Sequence, residues 1–156
     1  MGEVAITKRL LSLILILCML AFCLLGCSNN QMIPQGYASK EEFLDPDGFM
    51  DYADYCKYYY KDKEKFANNP KYRELSESDI EVISGYFADY RSWMDVGDRL
   101  KEYDFDINNI TVGDYVYIET KEGIPIGESY YGKYDNYTVY FFDTDSCTLY
   151  YIHLNI

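Results

Sequence analysis

The side chains in this sequence that could carry out covalent chemistry are few and far apart. His153 is the only histidine, and Cys56 and Cys147 are the only cysteines after residue 27. Nucleophilic catalysis needs a nucleophile, a base and an orienting acid that converge in space, and no serine or cysteine is tied to His153 by its spacing. Cys147 lies on the same predicted strand but about 20 Å along it, at roughly 3.3 Å per residue. We therefore predict no catalytic residue, and we interpret His153 as an ordinary residue of the last strand.

Carboxylates are abundant, with 26 Asp and Glu residues, and two acids about 5 to 9 Å apart would suffice to hydrolyse a glycosidic bond. The stretch that begins at Asp104 starts like a calcium loop, with oxygen side chains at positions one, three and five. However, Asn109 stands where the loop needs glycine and Tyr115 stands where it needs a bidentate glutamate. These departures exclude an EF-hand and leave a looser calcium site as the alternative to a turn. We interpret this stretch and the acidic stretch at Asp143 as turns, and we predict no metal site.

The N-terminal segment has the layout of an export signal. Lys8 and Arg9 precede an apolar run from Leu10 to Leu25 that only Ser12 interrupts. The run covers 16 residues, which is short of the roughly 20 that a helix needs to cross the hydrocarbon core. A permanent transmembrane anchor is therefore the weaker interpretation. At the end of the run stands a cysteine with a small residue at minus one and an apolar residue at minus three, in the order Leu24-Leu25-Gly26-Cys27-Ser28.

This ending resembles the lipobox of bacterial lipoproteins, and the resemblance covers residues 1–28. It implies that Cys27 becomes a diacylglyceryl cysteine and that a lipoprotein signal peptidase cleaves between Gly26 and Cys27. Residues 1–26 would then be a signal peptide. Acyl chains, palmitate among them, would hold the mature chain on the extracytoplasmic face of the cell membrane. The alternative is an uncleaved signal anchor, which places the rest of the chain on the same side.

Cys56 and Cys147 are an even pair of cysteines in a chain that this signal would export. Such a pair permits a disulfide that closes the first predicted helix onto the terminal hairpin. The alternative is two buried thiols that pack as small hydrophobic side chains, since Cys56 lies on an apolar stripe. Two cysteines and one distant histidine lack the paired spacing that zinc ligation requires. We predict neither a metal nor a cofactor.

The chain after the signal is predicted to be a tether followed by one domain. Residues 28–39 mix Asn, Gln, Pro and Gly with no structural period, so we expect residues 27–39 to comprise the lipidated cysteine and a flexible tether. Residues 40–156 have about the modal size of a single domain. The net charge is −12, and the basic residues are scattered singly among acids, which excludes nucleic-acid binding. The charge also disfavours contact with anionic lipid, so we expect the tether to hold the domain away from the membrane.

Helices are predicted in the first half of the domain. Asp45-Pro46 supplies an N-cap and a proline, and apolar residues recur after it at helical spacing, which predicts a helix from Pro46 to about Lys61. Ser76, with Asp79 three residues later, resembles a capping box and predicts a second helix. The range 95–103 is ambiguous and allows a third short helix.

The second half of the domain has the period of a sheet. From Thr111 apolar residues alternate with polar ones, which predicts strands at Val112–Glu119, Ser129–Tyr134, Tyr137–Asp143 and Cys147–Leu154. The predicted fold class is α+β, with two or three helices followed by an antiparallel meander of about four strands.

The last hairpin has two largely apolar faces. If Phe142 faces Thr148, then one face carries Tyr140, Phe142, Tyr150 and Ile152. The helices can cover only one face, so the other is either partly exposed or buried against a partner. These four residues are therefore our predicted binding face, because tyrosine offers a rigid apolar ring and a hydroxyl at low entropic cost. The alternative is that the tyrosines complete the core with their hydroxyls at its rim.

Two functions from different classes follow from these expectations. The first is a lipid-anchored binding module that presents a tyrosine-rich sheet face to an envelope protein or a glycan. The second is an extracytoplasmic, carboxylate-dependent hydrolase that acts on cell-envelope glycans. The hydrolase requires a cleft with two facing acids, one of them with a raised pKa. Since no catalytic constellation is visible, the sequence favours the binding module over an enzyme.

Overall fold

The computed structural model describes residues 31–44, 52–95, 99–120 and 136–155. These residues form one antiparallel sheet and two α-helices, so the predicted α+β class is confirmed. The elements in chain order are β1 (Ser39–Phe43), β2 (Tyr52–Tyr59), α1 (Glu64–Ala67), β3 (Arg73–Glu74), α2 (Glu77–Met94), β4 (Tyr115–Thr120), β5 (Asn136–Asp143) and β6 (Thr148–Asn155), with 3-10 turns at Arg99–Lys101 and Ile107–Asn109.

The sheet has six strands in the order β1-β2-β6-β5-β4-β3, and every neighbouring pair is antiparallel. The predicted meander is confirmed for the pairing of β5 with β6. It is wrong for β4, which pairs directly with β5, whereas the meander places the predicted strand Ser129–Tyr134 between them. It misses the long-range pairing of β2 with β6, which runs from Tyr52 opposite Asn155 to Tyr59 opposite Thr148. Because β2 lies beside the last strand of the chain, the central part of the sheet depends on contacts between distant parts of the sequence.

One face of the sheet, named face A, packs against α2. The ring centroids of Tyr86 and Tyr137 lie 5.0 Å apart, and those of Phe87 and Phe141 lie 5.8 Å apart, both edge to face. Val82, Tyr86, Phe87 and their buried neighbours on α2 join the inward-facing residues of β2, β5 and β6 in one continuous core. The helix is therefore held mainly by the burial of its apolar side.

The predicted capping box begins α2 and is confirmed. Ser76 donates its backbone N–H to the carboxylate of Asp79 at 2.8 Å, and its hydroxyl donates to the same group. Arg73 on β3 donates two guanidinium N–H groups to that carboxylate. The Arg73 guanidinium, helped by Ser76, holds the pKa of Asp79 well below its usual range. One carboxylate thus joins the edge strand to the start of the helix.

The opposite face of the sheet, named face B, packs against α1 and the chain before β1. Phe66 of α1 stacks on Phe142 of β5 with ring centroids 3.8 Å apart. Two aromatic-rich cores thus lie on either side of the sheet, since face B has its own cluster of buried residues around Phe66, Phe142 and Leu149. Because both faces of the sheet are covered, its strands lack a clean alternation of apolar and polar residues.

Residues 31–37, named the strap, lie on face B, and the predicted flexible tether is therefore wrong for this part. Four of its backbone carbonyls accept hydrogen bonds from domain side chains: Gln31 from Asn69, Met32 from Tyr72, Pro34 from Tyr60, and Gln35 from Lys65. Ser39, the last residue assigned to the tether, is the first residue of β1. Side chains of other elements satisfy the backbone groups of the strap, so the strap is ordered without being a helix or a strand. Its sequence therefore shows neither period.

The helix predicted from Pro46 to Lys61 is wrong wherever the structure describes that range, because Tyr52–Tyr59 is the strand β2. Within β2 only Tyr52, Asp54 and Tyr59 are partly exposed. A strand buried on both faces is nearly continuously apolar, so its apolar positions also fit a helical period by chance. The third predicted helix is reduced to the 3-10 turn at Arg99–Lys101 among the described residues, and the strand predicted at Ser129–Tyr134 lies outside them.

The terminal hairpin is confirmed, but its register is shifted by one residue. Phe142 faces Leu149 instead of Thr148, and Asp143 faces Thr148. Four residues, 144–147, therefore form the loop, and Cys147 occupies the left-handed region with φ of 53°. Asp143 stabilises this loop by accepting hydrogen bonds from the backbone N–H of Asp145 at 2.9 Å and from the hydroxyl of Ser146 at 2.7 Å.

Candidate functional site

The predicted binding face of Tyr140, Phe142, Tyr150 and Ile152 is wrong, because these residues lie on two faces. Tyr140 and Phe142 belong to face B, whereas Ile152 belongs to the core of face A and Tyr150 packs against that core. Phe142 and Ile152 are fully buried, and Tyr140 is 7 % exposed. The one-residue shift in the hairpin register is the reason, since it moves every side chain of β6 to the opposite face. Three of these four residues form core and not surface.

Cys56 and Cys147 are free thiols, so the disulfide that the sequence permits is not formed. The backbone N–H of Tyr60 donates to the carbonyl of Cys147, so Cys147 lies opposite a residue four positions along the chain from Cys56. At about 3.3 Å per residue the two cysteines are separated by about 13 Å, whereas a disulfide needs Cα atoms within about 7 Å. Burial raises the pKa of the Cys56 thiol to about 11. Cys56 therefore packs as a small hydrophobic side chain, the alternative that the sequence left open.

Gly26 and Cys27, the predicted cleavage and lipidation site, lie outside the described residues. Among the residues that the structure describes, no helix is both long enough and apolar enough to cross a membrane.

A polar row crosses face B beside its tyrosines. It takes one residue from each of four neighbouring strands: Asp54 from β2, His153 from β6, Thr138 from β5 and Glu119 from β4. We name these four residues the His153 row. The neighbouring row on the same face contains Tyr151, Tyr140 and Tyr117. Five residues of these two rows are partly exposed to solvent: Asp54, Glu119, His153, Tyr117 and Tyr151. In these two rows charged, aromatic and hydrogen-bonding groups meet with access to solvent.

His153 is held between two tyrosines, and one of its ring nitrogens has no hydrogen-bond partner among the residues that the structure describes. The hydroxyl of Tyr151 lies 3.1 Å from Nδ1, and the Tyr52 ring centroid lies 5.0 Å from that of the imidazole. Nε2 is closed to solvent and, as far as the described part of the chain extends, makes no hydrogen bond. Burial lowers the pKa of His153 below its usual value, although Asp54 and Glu119 act in the other direction. The ring is therefore neutral at pH 7 and offers one unsatisfied nitrogen.

The two acids of the row stand too far apart for paired-carboxylate hydrolysis. Asp54 and Glu119 lie on strands separated by three interstrand spacings, which places their backbones about 14 Å apart. Retaining and inverting glycosidases need carboxyl groups about 5 to 9 Å apart. Glu119 also accepts a hydrogen bond from the Tyr117 hydroxyl at 2.9 Å. This geometry suits recognition by hydrogen bonds better than acid–base catalysis.

The two acidic stretches considered for calcium serve the fold. Asp104 accepts hydrogen bonds from Lys57 at 2.7 Å and from the Tyr55 hydroxyl at 2.8 Å. Burial alone would raise the pKa of Asp104, but these two hydrogen bonds outweigh it and lower the pKa. Asp143 accepts hydrogen bonds from Asp145 and Ser146 within its own loop. Within the described residues, no group of three or more side chains is arranged to hold a metal ion.

No family model, curated protein or solved structure matches this chain.

Sequence reasoning missed the His153 row because it depends on strand pairing. The helix predicted from Pro46 to Lys61 contains Asp54, so its place beside His153 is hidden in the sequence. Glu119 and Thr138 come from two further strands. The one signal available from the sequence was the presence of a single histidine on a strand rich in tyrosine.

Proposed function

We propose that this chain is a bacterial lipoprotein, anchored through acylated Cys27 on the extracytoplasmic face of the cell membrane. The support is the charged start, the apolar run and the Leu-Leu-Gly-Cys ending in residues 1–28. Two acyl chains on one residue would hold the domain stably at a bilayer, whereas one chain holds a protein only marginally.

We further propose that the folded part is a binding module whose ligand face is the His153 row, and that the ligand is a glycan of the envelope. The observation that carries this proposal is the Nε2 of His153, which has no hydrogen-bond partner among the described residues. The ring is held between Tyr52 and Tyr151 and flanked by Asp54 across the strand pair. An unsatisfied buried polar atom is costly, and a ligand hydroxyl would satisfy it once a shift of the Tyr52 or Tyr151 ring opened Nε2. Sugars combine hydroxyls for the imidazole and carboxylates with apolar C–H faces for tyrosine rings.

Cell fractionation tests the anchor. The wild-type chain, expressed in a bacterial host, is expected in the membrane fraction, and a Cys27→Ala variant is expected to leave it. Cys23→Ala is the matched control, because it removes a thiol four residues earlier and leaves the lipobox intact. Equal partitioning of all three proteins contradicts the anchor.

An NMR titration tests the binding face. His153 is the only histidine, so its ring signals are unambiguous, and a chito-oligosaccharide is expected to shift or broaden them. His153→Phe is expected to abolish binding, and Asp145→Asn, on the loop at the far end of β6, is expected to retain it. Unchanged ring signals at millimolar sugar contradict a glycan ligand at this row.

A further inference from the structure

The strap limits how far Cys27 can lie from one side of the domain. Its first described residue, Gln31, is bound to the domain through its carbonyl, which accepts a hydrogen bond from Asn69 at 2.9 Å. Gln31 is four residues from Cys27, and a chain spans at most about 3.6 Å per residue, so their Cα atoms lie within about 14 Å of each other. A lipid on Cys27 would therefore hold the surface around Asn69 near the bilayer.

Lysines are concentrated next to this surface. Residues 61–71 contain Lys61, Lys63, Lys65 and Lys71 against two acids, in a chain whose net charge is −12. Lys65 donates to the carbonyl of Gln35 in the strap. Its Nζ lies 6.0 Å from the ring centroid of Tyr60, and Nζ of Lys71 lies 5.6 Å from that of Tyr117, so both ammonium groups lie over face B. We name residues 61–71 the lysine segment.

The other side of the sheet carries the opposite charge. α2, which packs on face A, contains Glu77, Asp79, Glu81 and Asp89 against a single basic residue, Arg91. Glu77 and Glu81 are exposed. A surface rich in anionic lipid attracts lysines within about a Debye length and repels these acids. Tether length and charge therefore favour the same orientation.

We propose that the domain lies against the membrane with the strap and the lysine segment facing anionic phospholipid headgroups and with α2 facing away. This orientation rests on the proposed lipid anchor at Cys27, and because it turns face B with its His153 row toward the bilayer, the glycan proposed for that row must be one at the membrane surface. It reverses the expectation, drawn from net charge alone, that a tether holds the domain off the bilayer.

Tryptophan quenching tests the orientation in the acylated, full mature protein. Trp93, the only tryptophan, is 41 % exposed near the end of α2, and Tyr37 on the strap is 36 % exposed. The probes are the wild type and a Trp93→Phe/Tyr37→Trp variant, each reconstituted in phosphatidylglycerol vesicles that contain a headgroup spin-labelled lipid. Quenching is expected to be at least twofold stronger in the strap variant than at Trp93. Equal quenching, or stronger quenching at Trp93, overturns the orientation.

Charge reversal tests the part played by the lysines. Lys61→Glu/Lys63→Glu, in the strap-tryptophan background, is expected to reduce quenching at least twofold. Arg91→Glu/Lys101→Glu makes the same change in net charge elsewhere in the chain and is expected to leave it unchanged. Equal effects of the two pairs overturn the role of the lysine segment.

The intact mass of each reconstituted sample separates the two proposals. Without acyl mass on Cys27 the anchor fails, and the orientation fails with it. With acyl mass present and equal quenching at both probes, the orientation alone fails.

Discussion

Asp114 is fully buried at the start of β4, where its carboxylate joins two turns. Oδ1 accepts the backbone N–H and the hydroxyl of Thr144, both at 2.9 Å. Oδ2 accepts the backbone N–H of Thr111 at 2.8 Å and its hydroxyl at 3.1 Å. An Asp114→Asn substitution keeps the shape of this side chain and replaces one acceptor with an NH₂ donor.

The cost of this substitution follows from the four bonds. Whichever way the amide is turned, its NH₂ group meets a backbone N–H, and one part-buried donor loses its acceptor at a cost of about 1–3 kcal/mol. The hydrogen bonds to the remaining oxygen lose their charge assistance, which is worth about 1 kcal/mol. We therefore expect the free energy of unfolding to fall by about 3 kcal/mol.

Urea unfolding of the purified chain, followed by circular dichroism, measures this loss. The matched control is Asp145→Asn, which makes the same chemical change at an exposed position of the neighbouring loop and should cost less than about 0.5 kcal/mol. If Asp114→Asn costs no more than Asp145→Asn, the carboxylate does not join the two turns as described.

Three further outcomes are expected. An NMR titration of His153 should give a pKa below 6.5, because burial lowers it. As pH falls, the unfolded chain then takes up the proton before the folded chain, so the free energy of unfolding should decrease below about pH 6.5. The His153→Phe variant should lack that decrease. At pH 8 a thiol reagent should label Cys147 before Cys56, whose pKa burial raises to about 11, and a mass map that joins the two in a disulfide would contradict the fold. Phe66→Ala should lower the free energy of unfolding by about 3–5 kcal/mol, because it removes the stack on Phe142. A loss below about 1 kcal/mol in urea unfolding would mean that α1 does not cover face B.

The parts of the fold that were predictable depend on local sequence. The start of α2 was visible because Ser76 and Asp79 satisfy each other's groups within one turn. The terminal hairpin was visible because its two strands are close in sequence. β2 was not visible, because its identity as a strand depends on its pairing with β6, about 90 residues later.

The site was less predictable than the fold. A loop of four residues instead of three moved Tyr150 and Ile152 to face A, and no local feature of the sequence determined that length. Cys147 could not be identified beforehand as a left-handed residue, because only about a few per cent of non-glycine residues adopt positive φ. The His153 row combines residues of four strands, so it became visible only when all four were in register.

Intact mass spectrometry of the chain recovered from the membranes of a bacterial host tests the central claim most directly. We predict a protein that has lost residues 1–26 and carries a diacylglyceryl group on Cys27. A protein of full length without added lipid mass would contradict the anchor and make residues 10–25 an uncleaved signal anchor.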